Sequence, residues 1–224
     1  MVRRSNEAAG ADRRPNVTLF RERCTSTIRR RNDGAAFVAL RVSFRAVRGP
    51  LFSGPLGGGA VLDALVRRLR GAGPVVVIGP LWLGETLAAE LPTVLLVEPE
   101  ERPRARRVVR RATTAGRRLT VMLAGVELPL ARGSVDALLI ESVSTLAAPE
   151  AAEWLATLVP VLRAGGSLIA ADVTEDPADE ARLAALWLAS ALTQVSQERP
   201  RSGVVLTVGR APAPELVRTR FPPA

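Results

Sequence analysis

With 224 residues, 31 of them basic against 22 acidic, the chain is long enough for one α/β domain and an extension but not for two full domains. It has no His, no Tyr and one Cys, Cys24, which excludes a Ser-His-Asp triad, a Cys-His dyad, His-ligated zinc, thiolate clusters and internal disulfides; any acid or base must be Asp or Glu, and no metal is expected. The net charge of +9 suggests nucleic acid only until it is located along the chain, and no run approaches the roughly 18 uncharged apolar residues of a membrane span, so a cytoplasmic protein with no membrane partner is expected.

Residues 1–50 carry twelve Arg against four acids, whereas the rest carries nineteen Arg against eighteen acids. The basic charge therefore belongs to an N-terminal extension, and the folded part is nearly neutral. Every basic residue is Arg, an imbalance that fits a GC-rich coding bias better than a selected phosphate-binding surface, so a nucleic-acid partner is not expected. Residues 1–33 are polar and read as disordered, while Leu40, Val42, Phe44 and Ala46 alternate with Arg41, Ser43 and Arg45 as in a short strand within 38–48. Four acids weigh against a transit peptide; a start placed too far upstream, with the true one nearer Leu51, competes with a genuine extension.

Gly and Pro punctuate residues 51–60 too heavily for a regular element, which sets a domain boundary there. Val61, Leu62, Leu65 and Leu69 recur at helical spacing up to a stop at Gly71. Pro74 to Ile78 is a β-branched run without polar alternation, as expected of a central strand covered on both faces. A six-residue turn from Gly79 to Gly84, a helix from Gly84 to Leu91 and a strand from Val94 to Val97 follow, the last ending at Glu98. Arg102 to Thr114 reads as a helix with a solvated Arg face, closed by Gly116. Strands are expected over Leu119–Leu123 and Val135–Ile140, then a helix opened by Pro149 that runs to Leu162. Arg163 to Gly166 turns into a fifth strand, Ser167–Asp172, and Asp176 caps a helix from Ala178 to Leu192. The link Pro200–Gly203 between Val195–Glu198 and Val204–Val208 is too short for a parallel crossover, so the sheet should end in a hairpin. These elements predict a Rossmann-like, doubly wound, seven-stranded sheet, mostly parallel with an antiparallel terminal strand and helices on both faces. The domain is expected over 61–210, with a tail at 211–224.

Four segments in order carry a family resemblance: Gly73-Pro74-Val75-Val76-Val77-Ile78-Gly79, Val97-Glu98, Val126 to Asp136, and Leu162-Arg163-Ala164-Gly165-Gly166-Ser167-Leu168. Together they resemble the class I S-adenosylmethionine-dependent methyltransferases, of the type 11 kind. The resemblance implies S-adenosylmethionine across the carboxyl ends of the strands. Its first motif is an acid two residues before a run of alternating glycines, and here that motif is degenerate: Val77 holds the acid position and Leu81 and Leu83 the later glycine positions, with Gly84 as a stand-in if the turn is one residue longer. The resemblance places the cofactor against Gly79, Leu81, Gly84, Glu98, Gly125, Val126 and Glu141, with Glu98 on the ribose hydroxyls. It also puts an acid beside the adenine amine, and Ala124 and Gly125 lack one.

Trp82 in that turn is expected to bury itself against the adjacent helix, ahead of plugging the pocket or stacking on a ligand. Methyl transfer depends mainly on proximity and alignment, and Glu141 and Asp172 are the candidate bases. Two readings stay open. One is a methyltransferase acting on an unidentified small-molecule acceptor. The other is a pseudoenzyme that keeps the fold as a binding or scaffold surface for a protein partner, favoured by Val77, Leu81 and Leu83. A third, nucleic-acid binding through the Arg tail, predicts salt-sensitive binding that is lost with residues 1–50. The apolar helix around Leu186, Trp187 and Leu188 reads as core ahead of a dimer surface.

Overall fold

A computed structural model describes residues 58–124, 128–141 and 143–213. The expectations for residues 1–50, including the strand within 38–48, for the joint as far as residue 57, for Gly125 and Val126, and for the tail beyond 213 lie outside the described residues.

The first helix, α1, is Gly58–Leu69. It starts three residues before Val61, because N–H groups of a first helical turn need no intrahelical partner and Gly costs little there. Strand β1, Val75–Ile78, is buried at all four positions. Helix α2 is Leu81–Leu87, which corrects both the six-residue turn and the helix Gly84–Leu91. Pro80, at φ −68° and ψ 151°, is the N-cap, so the turn is only Gly79-Pro80 and the two leucines belong to a helix. Strand β2 is Thr93–Val97, helix α3 Arg102–Thr114 and strand β3 Leu119–Leu123.

Strand β4 is Val135–Glu141. Helix α4, Ala148–Leu158, stops short of Leu162 because Pro160 sits in a tighter 3-10 turn over Val159–Val161. Strand β5, Leu162–Val173, is longer than expected: Arg163 to Gly166 is an insertion within it, since Val135 pairs with Leu162 and the next pair is Ala137 with Ser167. A Cβ on Gly166 would lie 2.8 Å from the Arg163 carbonyl oxygen. Helix α5 is Pro177–Ala189, with the Asp176 side chain accepting from the Ala178 N–H as expected. It ends before Leu192 through paired terminal bonds, Ala191 N–H to Leu188 and Leu192 N–H to Trp187. Strands β6, Thr193–Arg201, and β7, Val204–Arg210, form the hairpin.

The strand order is β3-β2-β1-β4-β5-β7-β6. The first five strands are parallel, and β7 runs antiparallel to both β5 and β6. The expected fold class therefore holds. Alternation along the strands feeds two cores. Val76, Ile78, Leu138 and Ile140 pack with Leu155 of α4 and Trp187 of α5; Val75, Val77, Ala137 and Leu139 pack with Leu65 of α1, Leu83 of α2 and Ala105 of α3. Of the apolar group in α5, Trp187 is fully buried, but Leu188 is 61% exposed. Strands that are buried on both faces by helices leave only their ends for chemistry.

Candidate functional site

The strand order reverses between β1 and β4, and in open α/β sheets a crevice forms at the carboxyl ends where this happens. Five expected or neighbouring positions reach that rim in spatial order: Ala124 after β3, Glu98 after β2, Gly79 after β1, Glu141 at the end of β4 and Asp172 near the end of β5. Sheet pairing brings them together. Ile78 pairs with both Leu96 and Ile140, so Gly79 comes one residue beyond that row, beside Val97 and Glu141.

Gly79 stands at this end of the sheet with bare backbone. A Cβ there would meet Glu141 Cβ and Leu83 Cδ2 at 3.5 Å and Glu141 Oε2 at 3.7 Å. Glu98 sits half-buried at the start of the 3-10 turn Pro99–Glu101, its carbonyl accepting from Glu101 N–H at 3.0 Å. The end of β3 is tied to it by the Ala124 N–H, which donates to the Val97 carbonyl at 2.8 Å.

Gly84 serves another purpose than the cofactor turn. It lies within α2, and a Cβ there would come within 2.9 Å of both terminal methyls of Leu95, so the missing side chain brings the helix close to β2. Leu81 is half-buried against the core of α1 to α3, and Leu83 is buried in it. Trp82 departs from its expected burial: it is 40% exposed. It lines an open cleft of about 570 Å³ between α2 and α3 together with Val108, Arg104 and Arg107. None of Gly79, Glu98 and Glu141 lines that cleft.

The two carboxylates differ in environment. Asp172 is fully buried, not a solvated strand-end charge. Its Oδ1 accepts the Ser144 N–H at 2.6 Å, which fixes the 3-10 turn Val143–Thr145. Arg182 of α5 holds the same turn, donating to the Ser144 carbonyl at 2.8 Å and to that of Leu146 at 3.4 Å. Burial pushes the Asp172 carboxyl above its ordinary range, opposed by its hydrogen bonds from Ser144 and Val143 and by the charge of Arg182. Glu141 is only half-buried and lies beside Gly79 at the carboxyl end of β4. Burial first, and then the charge of Asp172, raise its carboxyl to about 7. Glu141 Oε1 and Asp172 Oδ2 are both buried, and among the described residues neither has a hydrogen-bond partner.

Asp136, at the opposite end of β4, is structural. It accepts the Gly73 N–H at 3.2 Å and pairs with Arg163, joining the starts of three strands. Among the described residues no group of three or more His, Cys, Asp or Glu gathers for a metal ion, and no helix is long and apolar enough to cross a membrane. Sequence reasoning missed Ser144 and Arg182, whose roles arise from backbone groups and leave no pattern in the residue types.

No family model and no curated protein matches this sequence. Solved structures do match in fold. PigF with SAH shares 13% identity at a TM-score of 0.56, over 67% of this chain and 54% of the other. The S-adenosylmethionine-dependent methyltransferase SibL, in its apo form, shares 14% identity at a TM-score of 0.58, again over 67% and 54%. The [4+2]-cyclase SpnF shares 13% identity at a TM-score of 0.56, over 69% of this chain and 81% of the other. The chain thus spans about half the length of the PigF and SibL chains. The sheet order, the antiparallel end and these superpositions agree, and the chain carries the Rossmann-like fold of the class I S-adenosylmethionine-dependent methyltransferases.

Proposed function

We propose that the protein binds S-adenosylmethionine at the carboxyl ends of β1, β2 and β4 and transfers its methyl group to a small-molecule acceptor in the cytoplasm. The observation that carries this reading is the row Glu98, Gly79, Glu141 at the switch point, where bare backbone lies between two carboxylates and one of them has a buried oxygen without a donor. Such an orphaned acceptor is costly unless a ligand or a proton satisfies it, so the residues present fit a ligand bearing N–H and O–H donors. Glu98 is suited to accept both ribose hydroxyls, and Gly79 leaves room for the chain that joins them to the sulfur.

When bound, S-adenosylmethionine supplies a methyl group on a positively charged sulfur. The protein's own contribution is alignment and exclusion of water, the larger part of the catalysis of such displacements. Asp172 and Arg182 serve this by fixing the Val143–Thr145 turn beside the crevice. Asp172 is enclosed, which suits it to positioning and not to taking a proton from the acceptor.

The test is calorimetric titration of the full chain with S-adenosylmethionine and S-adenosylhomocysteine. Micromolar binding that weakens at least about tenfold in Glu98→Ala supports the reading, since a charged hydrogen bond contributes about 1.5–3 kcal/mol. No binding at millimolar ligand overturns it.

One observation favours a second reading, a scaffold without catalysis that binds a protein partner. Leu83 Cδ2 packs within 3.5 Å of the place a Gly79 Cβ would take, narrowing the crevice from the side of α2. The same titration separates the two.

A further inference from the structure

Beyond residue 50 the charges nearly cancel in number, but the fold does not spread them evenly. Between residues 102 and 118 there are eight Arg and no acid, and all eight are exposed on α3 and the turn that follows it. The buried face of α3 is Ala105, Val108 and Ala112, which leaves the arginines on its outer faces. Arg102 and Arg106, Arg106 and Arg110, and Arg107 and Arg111 are each four residues apart, where like charges repel. Among the described residues Arg104, Arg106, Arg107 and Arg110 form no ion pair and no side-chain hydrogen bond.

One side of this basic face has a shape. Arg104 and Arg107 line the open cleft of about 570 Å³ between α2 and α3, with Leu81, Trp82 and Val108 as its apolar part. Two carboxylates line it as well. Glu85 is taken by Arg111, whose Nε and Nη2 donate to it at 3.1 and 2.8 Å. Glu101 is the N-cap residue of α3, where its charge is set against the positive end of the helix. The cleft therefore offers an indole that is 40% exposed beside two guanidiniums that no carboxylate of the described residues holds.

A flat aromatic group joined to phosphates matches both features. Bases stack on exposed indoles whatever their identity, and a guanidinium takes two phosphate oxygens at once. In a duplex the faces of a base are covered by its neighbours, so the match is to a single strand. An acidic peptide would suit the arginines but leave the indole face unused.

We propose that the cleft between α2 and α3 binds single-stranded nucleic acid, with a base stacked on Trp82 and phosphates on Arg104, Arg107 and the adjoining Arg110. This replaces the expectation of no nucleic-acid partner, which followed from the charge summed over the chain. The inference does not depend on the cofactor reading, since none of Gly79, Glu98 and Glu141 lines the cleft.

The experiment titrates the full chain with a short oligothymidylate and follows tryptophan emission and, with a labelled strand, anisotropy over about 50 to 200 mM salt. The Arg-rich residues 1–50 also attract polyanions, so the comparison is between variants that all retain them. Trp82, Arg104 and Arg107 are exposed, and their variants should keep the wild-type unfolding midpoint. The wild type should lose tryptophan emission on binding. Trp82→Ala should bind about tenfold or more weakly, and Trp82→Phe should recover most of that affinity without the loss of emission. Arg104→Gln combined with Arg107→Gln should make the slope of log affinity against log salt shallower by about 1.4, the share of two phosphate contacts on a single strand. Equal affinity and slope in all variants would assign the strand to residues 1–50 and overturn the proposal. So would the absence of binding, or displacement of the strand by polyglutamate as readily as by unlabelled oligothymidylate, which would mark the face as one for acidic protein.

Discussion

The backbone of β7 runs against the indole of α5 with no space for a side chain: a Cβ on Gly209 would lie 2.6 Å from Trp187 Cδ1 and 3.0 Å from Leu192 Cβ. Both contacts are with fully or nearly fully buried residues, which have nowhere to move. Gly209→Ala should therefore cost about 1–3 kcal/mol of stability, read from urea unfolding, with a change in the near-ultraviolet signal of Trp187. Trp187→Phe in the alanine background should recover part of the loss. An unchanged midpoint in the single variant would contradict the packing described.

Glu141 makes stability depend on pH. Its carboxyl is raised from an ordinary 4.5 to about 7 in the folded protein, so the folded state holds a proton that the unfolded chain has released. The contribution is present in full below about 4.5 and is lost as pH rises through about 7. Relative to Glu141→Gln, the wild type should lose stability across this window and then level off. The full linkage value is about 3 kcal/mol, to be discounted because the group is partly exposed. Parallel stability curves for the two proteins between pH 4.5 and 8 would sink the assignment.

Gly79 separates fold from binding. The nearest atoms to an added Cβ are at 3.5 Å, ordinary contact distance, so Gly79→Ala should leave the unfolding midpoint nearly unchanged. The methyl group would nevertheless fill the bare backbone between Leu83 and Glu141. We expect S-adenosylmethionine affinity to fall about tenfold or more, an effect of about 1.4 kcal/mol. Full affinity with normal stability would place the ligand elsewhere.

Ala191 follows the last turn of α5 at φ +61°, in the position that Gly116 fills after α3 at φ +71°. The left-handed conformation costs an L-residue about 1–2 kcal/mol, partly offset by the greater entropy that Gly loses on folding. Ala191→Gly should raise the unfolding free energy by about 0.5–1 kcal/mol. Destabilisation would show that the strain is compensated by packing of the methyl group.

Much of the sheet was legible in the residues, because apolar runs such as Val75–Ile78 and Val135–Ile140 are bounded by Gly, Pro and charge. Counting those runs also located Gly79, Glu98, Glu141 and Asp172 at strand ends. The start of α2 was not legible: glycines at 79 and 84 suggested one long turn, whereas the backbone at Pro80 already leads into a helix. Gly84 could be recognised as special, but its partner, Leu95, is set by tertiary packing. The burial of Asp172 depends likewise on the Ser144 N–H and on Arg182 of a distant helix. Trp82 was misjudged because α3 lines its cleft chiefly with Arg104, Arg107 and Arg111, Val108 apart, and so leaves it 40% exposed.

The placement of β7 between β5 and β6 has a consequence for synthesis on the ribosome. Strand β5, which bears Asp172, gains β4 as a neighbour as soon as it emerges, but its other edge stays open while α5 and β6 are made. Only with Val204–Arg210 is that edge closed. Until then a nascent chain presents an apolar, unpaired strand, the kind of surface on which chaperones act and at which wrong pairings begin. Of the described strands, the last to be made is thus the one that covers the open edge of β5.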